Sequence, residues 1–98
     1  MELFVIRRPS GWGTPDELEA AAARSARVGD EEMSSDIRWI RSYVVQEPDG
    51  SLGTFCIYQA SSEEKIREHA ERAGLPATDI YPVAETVLIR PDPVGAAA

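Results

Sequence analysis

The chain has 98 residues, 43% of them hydrophobic and 28% charged, which is enough for one domain with a modest core, too short for two and too apolar for a disordered chain. Its formal net charge of −7 argues against nucleic acid and anionic membranes as partners, because both bind through phosphates that Lys and Arg neutralise. The single cysteine has no intramolecular disulfide partner, MELFVIRR places its basic residues after the apolar run rather than before it, and no apolar stretch nears the roughly 18 residues of a membrane span. A cytoplasmic protein is the expectation.

Leu3 to Arg8 is β-rich and runs into the breaker cluster Pro9-Ser10-Gly11-Trp12-Gly13, so it is predicted as a first strand that ends in a loop. A first helix follows, with Thr14 as N-cap, Pro15 at the first helical position and Glu17 completing a capping box. Its buried face would be Leu18, Ala21, Ala22 and Ser25, small side chains that let it sit close to what it covers. Asp30, Glu31 and Glu32 then place negative charge where the helix dipole disfavours it, and fraying is expected there. Ile37 to Gln46 and Thr54 to Gln59 are strands joined by the turn Glu47 to Ser51, a hairpin. Ser61 with Glu64 forms a second capping box for a helix closed by Gly74, and Ile80 to Ile89 is the last strand, with Pro82 confining its start to an edge or a bulge.

The order is β-α-β-β-α-β, the ferredoxin-like α+β fold with two helices on one face of a four-stranded antiparallel sheet, a single domain over 1–90 with a mobile tail over 91–98. In the second and last strands neither parity is plainly polar, whereas a half-solvated antiparallel sheet alternates cleanly. Two helices cover one face only. A second copy would cover the other, which predicts a homodimer joined sheet to sheet as a dimeric α+β barrel.

His69 is the only imidazole, a group suited to metal ligation or to acid–base work near neutral pH. It borders the apolar stripe Ile66, Ala70 and Ala73, and its helical neighbours supply no second metal ligand, so a metal would recruit the strands, a loop or a second subunit. A structural histidine is the competing account. Cys56 is either a small buried hydrophobe or, with His69 in reach and a third group to orient it, a nucleophile. Trp39, Arg41, Tyr43 and Tyr58 could line a pocket with Cys56, or could simply be core. If Tyr43 pairs with Cys56 the whole group shares one face; a shift of one residue sends Cys56 and Tyr58 to the other side. Asp30, Glu31, Glu32 and Asp36 could hold a hard cation loosely, but fit better as a solvated, mobile connection.

The succession RWIRSY, FCIYQA and SSEEKIREHAERAGLP resembles a family of small bacterial domains of unknown function that includes a nickel-binding, ferredoxin-like protein. The likeness runs from about Phe4 to Val87, and the order and spacing of its short pieces make it specific. Arg38-Trp39 and Ser42-Tyr43 match the family's second strand, Phe55-Cys56 and Tyr58 its third, and His69, Ala73-Gly74 and Pro76 its second helix. The resemblance implies the βαββαβ fold, a homodimer and nickel binding in at least one member.

Three functions are consistent with these residues. The first is a cytoplasmic homodimeric binding protein for a divalent metal such as nickel, anchored by His69. The second is an enzyme or small-molecule-binding protein with a pocket around His69, Tyr43 and Tyr58, and the third an interaction module without a site. No organic cofactor motif is present.

Overall fold

In the computed structural model, residues 1–77 and 79–93 are described, and from 94 onward the predicted tail lies outside them. The elements are β1 (Glu2–Trp12), α1 (Pro15–Arg27), β2 (Ile37–Gln46), β3 (Leu52–Ala60), α2 (Glu63–Ala73) and β4 (Asp79–Pro82). The strands form one antiparallel sheet in the order β2-β3-β1-β4. This is the predicted ferredoxin-like α+β arrangement, and its core lies between the helices and one face of the sheet, built from Phe4, Ile6, Ile37, Cys56, Tyr58 and Ile66 with their neighbours.

Several boundaries differ from the sequence expectation, each for a physical reason. β1 does not stop at Pro9. It pairs with β3 again at Trp12, absorbing the breakers in an irregularity after Arg8, with Ser10 at a φ of 49°. The first helix does not fray either: it widens into a π-helical turn over Val28–Glu32, with a hydrogen bond from Met33 N to Val28 O of 3.0 Å. Val28 is buried in the core, and that burial holds the turn in place against its unfavourable charges. The acidic connection is accordingly tied down, Glu32 by Arg72 and Asp36 by Ser61.

β4 is four residues long, not the ten predicted from Ile80 to Ile89. Phe4 pairs with Pro82 and Val83 N donates to Leu3 O, so each further step moves toward Met1 and the partner strand runs out. The chain then leaves the sheet's edge and crosses its helix-free face. There Glu85, Thr86 and Leu88 border a groove with Val5 and Ile57, and Asp92 reaches Arg41 and the Tyr43 hydroxyl on β2.

The cap of α2 is Ser62, not Ser61. Ser62 Oγ accepts from Lys65 N at 3.3 Å, while Ser61 Oγ donates to Asp36 Oδ1 at 2.8 Å and so ties the start of β2 to the end of β3. At the other end Gly74 has a φ of 70°, and Leu75 N donates to Ala70 O at 2.8 Å in a Schellman closure. Ser62→Ala is therefore expected to cost about 0.5–2 kcal/mol and Gly74→Val at least about 1 kcal/mol. Urea midpoints equal to wild type for both would contradict these caps.

A candidate ligand site between helix one and the sheet

The register of the β2–β3 hairpin decides which predicted residues meet. Ser42 pairs with Cys56 and Tyr43 with Phe55, while Trp39 pairs with Tyr58 across an irregularity at Ile40. The group therefore splits. Trp39, Cys56 and Tyr58 face the helices, whereas Tyr43 lies on the other face with Phe55 and Ile57, so the sheet separates Tyr43 from Tyr58 and His69.

On the helix side is a cavity of about 610 Å³, within the range of small-molecule sites. α1 explains it: Ala21, Ala22 and Ser25 face the sheet with side chains too short to fill the gap above β2 and β3. Arg8, Ser25, Thr54, Cys56 and Tyr58 are buried and form its interior, while Trp12, Leu18, Trp39, Ile40 and Val44 give it apolar walls. Trp39 and Tyr58 stack with centroids 6.0 Å apart and planes within 8°. Trp39 Nε1 donates to Ser42 Oγ at 2.8 Å, which fixes the indole. Arg41 borders the cavity, but it pairs with Ile57 in register and its guanidinium lies on the helix-free face with Asp92 and the Tyr43 hydroxyl.

Behind the wall is a polar cluster. The hydroxyls of Tyr58 and Ser25 are 2.7 Å apart and hydrogen-bonded, and His69 Nε2 lies 3.0 Å from Ser25 O. A carbonyl only accepts, so Nε2 carries the proton. The imidazole packs at 58° on Tyr58, ring centroids 5.2 Å apart. It is 1% exposed, not at the stripe's border as the periodicity suggested. Burial lowers its pKa below the ordinary histidine value, and the nearby charge of Arg8 lowers it further against the opposing effect of the Ser25 carbonyl. Burial also pushes the Tyr58 phenol up to about 12, despite the Ser25 hydrogen bond and the Arg8 charge, so it stays protonated at neutral pH. Cys56 Sγ contacts Thr54 Oγ1 at 3.3 Å, and the partner of His69 is Ser25; the two do not form a nucleophile–base pair.

Arg8 is the residue that the sequence expectation missed. It is 1% exposed, and its hydrogen bond among the described residues runs from Nε to Pro76 O at 2.6 Å. Among the described residues Nη2 is buried without a partner, and no ion pair among them includes Arg8. A signal was available: Phe4, Ile6 and Arg8 share one parity of β1, which puts a charge on the apolar side of the strand.

A ferredoxin-like α+β domain with a ligand-sized cavity under its first helix is the class of protein that this fold and site define. Over residues 4–83 the chain matches the nickel responsive protein SCO4226-like family, and it belongs to that family, as the resemblance of its strands and second helix implied. In fold it is similar to the crystal structure of SCO4226 from Streptomyces coelicolor A3(2), with a TM-score of 0.68 and 22% identity over 87% of this chain and 99% of that one. No curated protein matches the chain.

Among the described residues no three His, Cys, Asp or Glu side chains converge as metal ligands. With its Nε2–H on Ser25 O, His69 has one ring nitrogen already engaged. The described residues of one copy therefore do not fit a nickel ion. No helix of the described residues is long and apolar enough to cross a membrane.

Proposed function

We propose that this chain is a small cytoplasmic, homodimeric binding protein whose ligand occupies the cavity between α1 and the sheet. The observation that carries this is the buried guanidinium of Arg8, whose Nη2 has no partner among the described residues. Burying a charge costs several kcal/mol, of order 3–5 when it is left uncompensated, and a ligand in the adjoining cavity is the compensation the geometry favours. The fixed indole of Trp39 and the neutral Tyr58 phenol suit holding a ligand in place.

Support for the homodimer comes from the part of the helix-free face that the segment after β4 leaves exposed, where Tyr43, Phe55 and Tyr81 are 45%, 39% and 56% exposed. A second copy laid on this face would bury about 1,000 Å² or more. Native mass spectrometry of untagged protein is expected to give a dimer that carries a small organic ligand, with light scattering confirming the dimer at micromolar concentration. A monomer in light scattering would remove the dimer, and protein that neither retains nor takes up any small molecule would remove the cavity as its site.

A second reading, binding of a divalent metal such as nickel, is supported by the family to which the chain belongs. In that reading ligands from two copies complete the site, so nickel uptake would follow the dimer. Calorimetric titration with nickel, zinc and cobalt is the test, and no uptake of any of the three would end this reading.

A further inference from the structure

We propose that the ligand of this cavity is a small aromatic monocarboxylate, its carboxylate paired with Arg8 and its ring held between the apolar walls. This rests on the reading of the cavity as the ligand site. The charge of the ligand follows from the count of charges inside. Among the described residues Arg8 is the one buried cation of the lining, its Nη2 lacks a partner, and no buried carboxylate stands opposite it. One negative charge completes this arrangement. A second, as on a dicarboxylate or a phosphate monoester, would be buried without a counter-charge.

The oxygens of a carboxylate suit the guanidinium's parallel N–H donors, and such charge-assisted bonds are roughly twice as strong as neutral ones. The ligand's body is read from the walls. Trp12 and Trp39 border the space with Leu18, Ile40 and Val44, while the Ser25 and Tyr58 hydroxyls share one hydrogen bond, which leaves a single O–H of the pair to donate. The interior thus offers one charge beside the hydroxyls of Ser25, Thr54 and Tyr58, and its walls are apolar and aromatic, which a planar ring bearing one carboxylate matches. Glu19 is exposed at the rim, where water screens its charge, and the Arg41 guanidinium is neutralised by Asp92 on the other face of the sheet.

The chain's two tryptophans, Trp12 and Trp39, both line the cavity, so their fluorescence reports occupancy directly. The experiment titrates protein stripped of retained ligand with 1-naphthoate, its neutral amide and naphthalene-1,4-dicarboxylate, by fluorescence and calorimetry. The expected result is that naphthoate binds at least about tenfold more tightly than the amide or the diacid. Arg8→Met should abolish the preference over the amide, Arg41→Gln should leave it intact, and Ala22→Phe, which fills the cavity from α1, should block all three probes. Circular dichroism checks the fold of each variant. If Arg8→Met does not fold, the wild-type preference together with the Ala22→Phe block decides the matter. Equal affinity for acid and amide, or a diacid bound best, would overturn the monocarboxylate and leave the cavity as a neutral or differently charged site. Preference surviving in folded Arg8→Met would overturn Arg8 as the anchor. Binding of no probe, or binding unaffected by Ala22→Phe, would overturn the cavity reading itself.

Discussion

His69→Ala is expected to lower the free energy of unfolding by about 2–4 kcal/mol, the range for emptying a well-packed interior site. The ring is 1% exposed, packs on Tyr58 and hydrogen-bonds Ser25 O, so the substitution removes packing and a carbonyl's partner together. Burial holds the imidazole neutral by lowering its pKa. The folded state therefore binds its proton at lower pH than the unfolded chain, and the unfolded chain holds more protons just below the ordinary histidine value. This stabilisation is complete above that value and is lost as pH falls toward the folded pKa. Urea unfolding between pH 7.5 and 5 should show a shallower decline for His69→Ala than for wild type. A loss smaller than about 1 kcal/mol, or identical slopes, would contradict the buried placement.

The fold was legible in the sequence because turn chemistry and periodicity agreed at nearly every element. Thr14 accepts from Glu17 N at 3.2 Å as the capping box requires, though Glu17 Oε2 reaches Gly13 N at 2.8 Å rather than the N-cap amide. Gly74 closes α2 in the left-handed conformation that the Gly-Leu-Pro sequence announced. Tertiary context decided where local signals misled. Residues 83–89 have strand-like composition, but composition does not reveal that β1 has no residues left to pair with them. Two adjacent serines compete for one cap, and the choice of Ser62 depends on Asp36, a residue distant in sequence.

The site was half legible. Trp39, Cys56 and Tyr58 do share a cavity, and Arg41 borders it while sending its guanidinium to Asp92 and Tyr43 on the helix-free face. Whether Tyr43 joined them depended on a hairpin register that an irregularity at Ile40 resets, and no pattern in β2 marks that residue as the extra one. Arg8 was hidden by its neighbour. Arg7 and Arg8 are consecutive, so a strand sends one to each face. Arg7 ion-pairs Glu47 at 2.9 Å and covers the Phe55 ring at 4.5 Å on the open face, while Arg8 turns inward.

Gly53→Ala is expected to destabilise the protein by about 1–3 kcal/mol through overpacking, and to disturb the ligand site with it. A Cβ there would lie 2.8 Å from Arg8 O and 3.1 Å from Glu47 Cδ. The first of these neighbours is backbone inside the β1–β3 pairing and cannot swing aside. Relief therefore has to come from β1 itself, at the point between Arg8 and Trp12 where its pairing with β3 changes register. A shift of β1 changes the position of the Arg8 guanidinium relative to the cavity and to Pro76 O, so naphthoate affinity should fall along with the unfolding midpoint. Gly11→Ala is the control, since a Cβ at Gly11 meets nothing within 4 Å, and its midpoint should match wild type to within about 0.5 kcal/mol. A Gly53→Ala protein with the wild-type midpoint and wild-type naphthoate affinity would show that β1 and β3 do not approach each other this closely, and would remove the rigid strand contact on which the placement of Arg8 depends.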